Sequence, residues 1–169
     1  MKLCLIGDEG TGKTSLIRRC AYGGYDERCC KTVGANVSKK TLDVRLDDGI
    51  CHATLMIWDI MGPRRFVELF KEAYFKHVSG ILAVFDLTRP ETLTSLDDWI
   101  EGARSVAGEA PIVVSANKVD LLDQIRVTER EIVEMCSRNS CDWLRTSAKT
   151  GENVEESFLR LTINMVGGC

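Results

Sequence analysis

Short apolar runs alternate with amphipathic stretches along the whole chain. Leu3–Ile6, Gly80–Phe85 and Pro111–Ser115 are continuous apolar runs of strand length. Runs of this kind read as strands buried on both faces of a parallel sheet. Lys13–Ala21, Phe66–Phe75, Glu91–Val106 and Val154–Val166 carry their apolar residues at helical spacing. Pro90 suits the first turn of the third of these. Thr128, with Glu131 three residues on, is a capping box that opens a helix to about Asn139. Val37–Leu46 and Ala53–Trp58 read as strands, separated by the hairpin signal Asp47-Asp48-Gly49. Trp143-Leu144 makes a last short strand. This alternation predicts an α/β fold with a doubly wound sheet. No linker, repeat or low-complexity tract interrupts it, so a single domain over residues 1–169 is expected.

The most specific local signal lies between the first strand and the first helix. Gly7-Asp8-Glu9-Gly10-Thr11-Gly12-Lys13-Thr14 fits G-x-x-x-x-G-K-[ST] in the strand–loop–helix context that the motif requires. Its glycines let the backbone wrap closely, so that N–H groups point at phosphate oxygens. The helix N-terminus adds partial positive charge. Lys13 can reach β and γ phosphates, and the Thr14 hydroxyl can ligate Mg2+. The motif says nucleoside triphosphate and leaves the base open.

The base is read further on. Asn117-Lys118-Val119-Asp120 follows the strand at Ile112–Ser115, at the strand end where open α/β sheets bind ligands. Asp120 offers two acceptor oxygens in one plane, matching the N1–H and N2–H2 donors of guanine. Adenine would put a lone pair against that carboxylate. Asn117 can bond the other polar edge of the base, and the Lys118 stem can cover the ring. An ATP-using enzyme would need another base pocket and a substrate site, and neither is visible.

Composition narrows the classes. The 169 residues weigh 18.8 kDa, are 44% hydrophobic and 28% charged, and so suit one ordinary globular domain. Twenty-two Lys and Arg against 25 Asp and Glu give a net charge of -3, which argues against nucleic-acid binding. No run approaches the roughly 18 apolar residues of a membrane helix. The opening Met1–Ile6 reaches Gly7 and Asp8 too soon for a signal peptide, and Lys2 excludes N-myristoylation. The 8 Cys are expected as free thiols in a reducing cytosol, and neither they nor His52 and His77 have zinc spacing.

Taken in order, the motifs resemble those of the Ras superfamily of small GTPases, within it the Rab-like branch. The resemblance covers the whole chain. Gly7–Thr14 looks like the family's phosphate loop. Thr32-Val33-Gly34 looks like the switch I threonine segment, and Trp58-Asp59-Ile60-Met61-Gly62 stands where that branch has W-D-T-A-G. Asn117–Asp120 and Ser147-Ala148-Lys149 look like the two base-binding motifs.

The resemblance implies a P-loop NTPase fold, a six-stranded sheet with five parallel strands and one antiparallel, flanked by about five helices. It implies a switch between GTP and GDP states with Mg2+, and weak GTP hydrolysis in which Lys13, Thr32 and Gly62 are the catalytic positions. Glu9, Gly10, Thr11, Gly12, Lys13, Thr14 and Ser15 would surround the phosphates. Thr14, Thr32 and Asp59 would hold the metal, Asp59 usually through water. The Gly62 N–H would touch the γ-phosphate, and Tyr25 would lie across the guanine edge. The Ala148 N–H would bond the base carbonyl, with Ser147 and Lys149 supporting the pocket. Effectors, exchange factors and activating proteins would read switch I, about Tyr25–Val37, and switch II, Asp59–Phe75. A cytoplasmic monomer is implied, peripheral to a membrane through partners.

Two positions depart from the pattern, and both touch hydrolysis. Pro63 follows Gly62 where the family usually has Gln to orient the attacking water. Proline offers neither a side-chain amide nor a backbone N–H. Glu9 puts a carboxylate on the γ-phosphate side of the loop, where it repels phosphate and fills the space of an arginine finger. It either obstructs such a finger or pairs with Arg64 or Arg65. An essentially non-hydrolysing, GTP-bound interaction module is therefore the alternative reading. Lys39-Lys40 and Arg64-Arg65 read as solvated faces, and Cys29-Cys30 as switch I thiols. Cys169 fits neither C-a-a-X nor paired terminal cysteines, so an unlipidated or truncated end is expected.

Overall fold

The computed structural model describes residues 1–24, 34–46, 49–61, 67 and 69–167. Its strands are β1 (Lys2–Ile6), β2 (Gly34–Leu46), β3 (Gly49–Met61), β4 (Gly80–Asp86), β5 (Ile112–Asn117) and β6 (Asp142–Arg145). Its helices are α1 (Lys13–Tyr22), α2 (Lys71–Phe75), α3 (Pro90–Thr94), α4 (Leu96–Ala107), α5 (Glu129–Arg138) and α6 (Val154–Gly167). The strands form one sheet in the order β2-β3-β1-β4-β5-β6. β2 pairs antiparallel with β3, and every other pairing is parallel.

Alternation along the central strands divides the core. Cys4, Ile6, Ile81, Ala83 and Phe85 face one layer, covered by Phe75 of α2, Leu96, Trp99 and Ile100 of α4, and Ile132 and Met135 of α5. Leu3, Leu5, Leu82 and Val84 face the other, covered by Leu16 and Ile17 of α1 and by Phe158 and Leu161 of α6. All seven residues of β4 and all six of β5 are buried, which explains their unbroken apolar runs.

The hairpin and the stretch after β4 differ from the expectation. The hairpin strands run longer at both outer ends, to Gly34 and Met61. The stretch expected as one helix over Glu91–Val106 is two segments, α3 and α4, separated by Ser95. Ser95 keeps helical angles (φ -71, ψ -14), but its hydroxyl is drawn onto Asp8. Of the helix expected over Phe66–Phe75, Lys71–Phe75 is helical, as are Val67 and Leu69; Phe66 and Glu68 lie outside the described residues, as do Asp47 and Asp48 of the hairpin signal.

The capping box is present in full. The Thr128 hydroxyl accepts from the Glu131 N–H at 3.3 Å, and the Glu131 carboxylate accepts from the Thr128 N–H at 2.8 Å. Both orphan donors at the start of α5 are thereby satisfied. Thr128→Ala is expected to cost about 1 kcal/mol of stability. A urea unfolding curve that superimposes on the wild type would show that the box contributes nothing.

Candidate functional site

The chain leaves β1 for α1 on one face of the sheet and leaves β4 for α3 and α4 on the other. β1 and β4 are neighbours. Their carboxyl ends therefore open a crevice, the place where doubly wound sheets bind ligands. The loop 7–12 stands in it. Gly7 has φ 129, and a side chain there would strike the Val84 carbonyl; Gly12 has φ 99, and a side chain there would strike the Asn117 amide. Both positions thus need glycine for conformation and for space. Thr11 is fully buried, with its hydroxyl on the Asp8 carbonyl at 2.9 Å. Glu9 and Gly10 are exposed at the loop's tip.

Lys13 and Thr14 open α1, with Ser15 next to them. Lys13 Nζ donates to the carbonyls of Gly7 and Asp8, each at 2.7 Å. Burial pushes Lys13 down to about 8, against the opposing pull of Asp59, Asp8 and Glu9. Thr14 Oγ1 donates to Asp59 Oδ2 at 2.5 Å. Asp59, near the end of β3, is 2% exposed, and its Oδ1 is buried without a hydrogen-bond partner among the described residues. Burial raises its carboxyl, although Thr14, Lys13 and Arg18 pull the other way. A hydroxyl and an orphaned carboxylate oxygen side by side are hard oxygen donors of the kind Mg2+ takes. Among the described residues no cluster of three or more His, Cys, Asp or Glu could hold a metal. Thr14 and Asp59 are thus the described residues that could hold a divalent ion here, and Thr32, the third ligand expected, lies outside the described residues.

The second half of the site lies beyond β5 and β6. Asn117 Nδ2 donates to the Thr11 carbonyl at 2.8 Å, while its Oδ1 accepts from Thr146 Oγ1 at 3.3 Å and from the Ala148 N–H at 3.2 Å. One Asn117 N–H and its Oδ1 thus join the two loops, the Ala148 N–H lies on that Oδ1, and the second N–H of the amide has no bond assigned to it among the described residues. Asp120 is half-buried, and its Oδ1 accepts from the buried Ser147 hydroxyl at 2.5 Å. That bond leaves Oδ2 for a ligand. Lys118 has φ 69, and its Nζ sits 2.6 Å from Asp86 Oδ2. Lys149 is exposed.

Several residues of the site escape sequence reasoning. Arg19 of α1 donates through Nε to the Ala148 carbonyl at 3.1 Å, and another guanidinium nitrogen bonds the Lys149 carbonyl. Asp8 accepts from Trp99 Nε1 at 2.8 Å and from Ser95 Oγ at 2.5 Å, tying the phosphate loop to α4. Asp86, fully buried, holds both Lys118 and Arg89. A signal for Asp86 was present: a carboxylate ends the otherwise apolar β4, in register with Asn117. Tyr25, Thr32, Gly62, Pro63, Arg64 and Arg65 lie outside the described residues, as do Cys29, Cys30 and Cys169. Of the thiols, Cys4, Cys20, Cys51, Cys136 and Cys141 are free.

The Lys13 shift has a consequence for the nucleotide-free protein. Between the lowered folded value near 8 and the ordinary 10.5, the unfolded chain holds a proton that the folded chain has released. Lys13 therefore makes stability rise with pH through that window. In urea unfolding without nucleotide, the wild type should gain stability relative to Lys13→Met from below the window to above it. A constant difference would show that Lys13 is not desolvated.

Comparison with known proteins agrees with this geometry. The family model described as "Ras family" matches residues 2–166. The GTP-binding nuclear protein GSP1 of Encephalitozoon cuniculi is 35% identical over 161 residues, covering 95% of this chain and 73% of the relative. Ras-related protein Rab-4A of Rattus norvegicus is 34% identical over 160 residues, covering 94% of this chain and 71% of the relative. Ras-related protein Rab-4B of Homo sapiens is 34% identical, covering 94% and 73%. With a strand, a phosphate loop and two base loops assembled at one crevice, the chain belongs to the Ras family and is a small GTPase, a nucleotide-binding switch with GTP hydrolase activity.

Proposed function

We propose that the chain, as one small-GTPase domain over residues 1–169 acting as a monomer, binds GTP or GDP with Mg2+ and hydrolyses GTP slowly. The observation that carries this is the Asn117 amide, which joins the Thr11 carbonyl of the phosphate loop to Thr146 and Ala148 of the base loop. Phosphate and base sites are therefore one site of fixed separation. Asp120 reads the guanine N1–H and N2–H2 edge, oriented by Ser147. Lys13 answers the β and γ charges, Thr14 and Asp59 hold the metal, and Mg2+ when bound neutralises charge on the same phosphate oxygens. Gly10, Thr11 and Gly12 present backbone around the phosphates, with Ser15 behind them. Thr32 joins Thr14 and Asp59 as a metal ligand in the GTP state, and Gly62 and Tyr25 take the γ-phosphate and guanine roles that the family assigns. Effectors, exchange factors and activators read the two switch segments from the cytoplasm or at a membrane reached through such partners.

Asp120→Asn should weaken GTP and GDP and improve xanthine nucleotides, whose carbonyl replaces the amino group that Asp120 reads. Competition binding gives the comparison. Equal affinity of the wild type for ATP and GTP would remove the guanine assignment.

Slow hydrolysis rests on Pro63 and Glu9. Water attacks the γ phosphorus, the bond to the β-bridging oxygen breaks, and GDP and phosphate leave. Pro63 gives that water no amide to align on. Glu9 sits at the exposed tip of the phosphate loop, where an arginine finger worth about 10³–10⁵ in rate would have to enter. Pro63 equally favours the second reading, a GTP-bound module that scarcely turns over. Pro63→Gln alone should recover part of the rate, and the double variant with Glu9→Gly more than the two singles together. Phosphate release from preloaded protein is the readout. A wild type as fast as the double variant would sink the idea, and a wild type with no turnover would select the second reading.

A further inference from the structure

The phosphate loop is also held from outside. Arg89 stands just after β4, the strand beside β1. Its Nε donates to Asp86 Oδ2 at 3.0 Å, and its Nη2 donates to the Glu9 carbonyl at 2.9 Å. The same Asp86 oxygen takes Lys118 Nζ at 2.6 Å. The other oxygen, Oδ1, accepts from the Thr88 N–H at 2.9 Å and the Thr88 hydroxyl at 2.7 Å. Asp86 is 0% exposed. The carboxylate is thus fixed on all sides, and Arg89 carries its position to the tip of the phosphate loop.

The peptide between Glu9 and Gly10 is trans. In a trans peptide the carbonyl and the N–H point in opposite directions. Holding the Glu9 carbonyl on Arg89 therefore turns the Gly10 N–H away from Arg89. That N–H makes no backbone hydrogen bond among the described residues. Gly10 itself has φ 77, and a side chain there would stand 3.5 Å from Arg89 Nη2. The guanidinium is packed against this one peptide.

We infer that Arg89 is a positioning residue for the diphosphate of the nucleotide. It sets the Glu9–Gly10 peptide so that the Gly10 N–H is aimed at phosphate, and through Asp86 it couples that setting to Lys118 of the base loop. The inference rests on the guanine-nucleotide reading above. Arginine suits the task because its planar fork spans two acceptors at once, whereas a lysine ammonium on a flexible stem does not hold both in fixed geometry.

The test measures release of fluorescent GDP, and affinities for GDP and GMP, in wild type, Arg89→Ala and Arg89→Lys. Arg89→Ala should release GDP about tenfold faster or more, the scale of a lost charge-assisted hydrogen bond. GMP, which lacks the β-phosphate, should lose much less, and the preference for GDP over ADP should persist. Arg89→Lys should recover only part of the loss. Release of GDP at the wild-type rate from Arg89→Ala would overturn the inference. So would equal losses for GDP and GMP, the mark of a residue that merely supports the fold. If Arg89→Ala does not fold, Arg89→Met keeps the bulk of the stem without a donor for either the Glu9 carbonyl or Asp86, and the same GDP and GMP comparison decides. A wild type that binds no guanine nucleotide would overturn the underlying reading and this one with it. That outcome is distinct from the failures above, in which the wild type binds GDP normally.

Discussion

The amide of Asn117 holds the two halves of the site in one geometry. It is 2% exposed at the end of β5, so its donor and acceptor must both be satisfied within the protein. The donor reaches the Thr11 carbonyl and the acceptor receives Thr146 and Ala148. An amide is planar with its donor and acceptor on opposite sides, so the two loops are held a set distance apart. Gly12 belongs to the same constraint, since a side chain there would collide with the Asn117 nitrogen. Arg19 closes the arrangement from below, joining α1 to the Ala148 and Lys149 carbonyls.

The sheet topology explains why a second brace can exist. β1 and β4 send their chains to opposite faces, so the residues just beyond both strands meet in one crevice. Asp86 and Asn117 are register partners on β4 and β5, which sets a carboxylate beside the amide. Burial alone would raise the Asp86 carboxyl. Hydrogen bonds from Lys118 and Thr88, with the Lys118 charge, outweigh burial and hold it below the usual carboxylate range. A buried acid ringed by cations and donors in this way can stand near phosphate without presenting it a net repulsion.

What was legible in the sequence is what local chemistry decides. The strand runs, the phosphate loop and the capping box at Thr128 each depend on residues within a few positions, and each stands where it was expected. The break at Ser95 does not depend on its neighbours. Ser95 and Trp99 there both bond Asp8, 87 and 91 residues away in the chain. Arg89 and Glu9 are 80 apart, and Arg19 and Ala148 are 129 apart. Nothing in the local pattern marks such residues as partners. The base motif shows the same limit at finer grain: that the Asn117 amide also ties Thr11 to Thr146 and Ala148 is set by residues 106, 29 and 31 positions away. The residue types were right, and their partners were set by the sheet.

The nucleotide-free charge arrangement also favours taking up anion and metal together. Burial lowers Lys13 and raises Asp59, so desolvation disfavours the charged form of each even though the two attract one another. Among the described residues, Lys13 bonds the Gly7 and Asp8 carbonyls of its own loop. Asp59 has one oxygen on Thr14 and the other on nothing among the described residues. A phosphate beside Lys13 would favour its charged form but would further disfavour the Asp59 carboxylate. A cation beside Asp59 would do the reverse. Only the pair relieves both groups, because each incoming charge then offsets the other as well as its protein partner. Desolvation thus disfavours both charges in the free protein, and an anion beside Lys13 with a cation beside Asp59 would offset it at both groups.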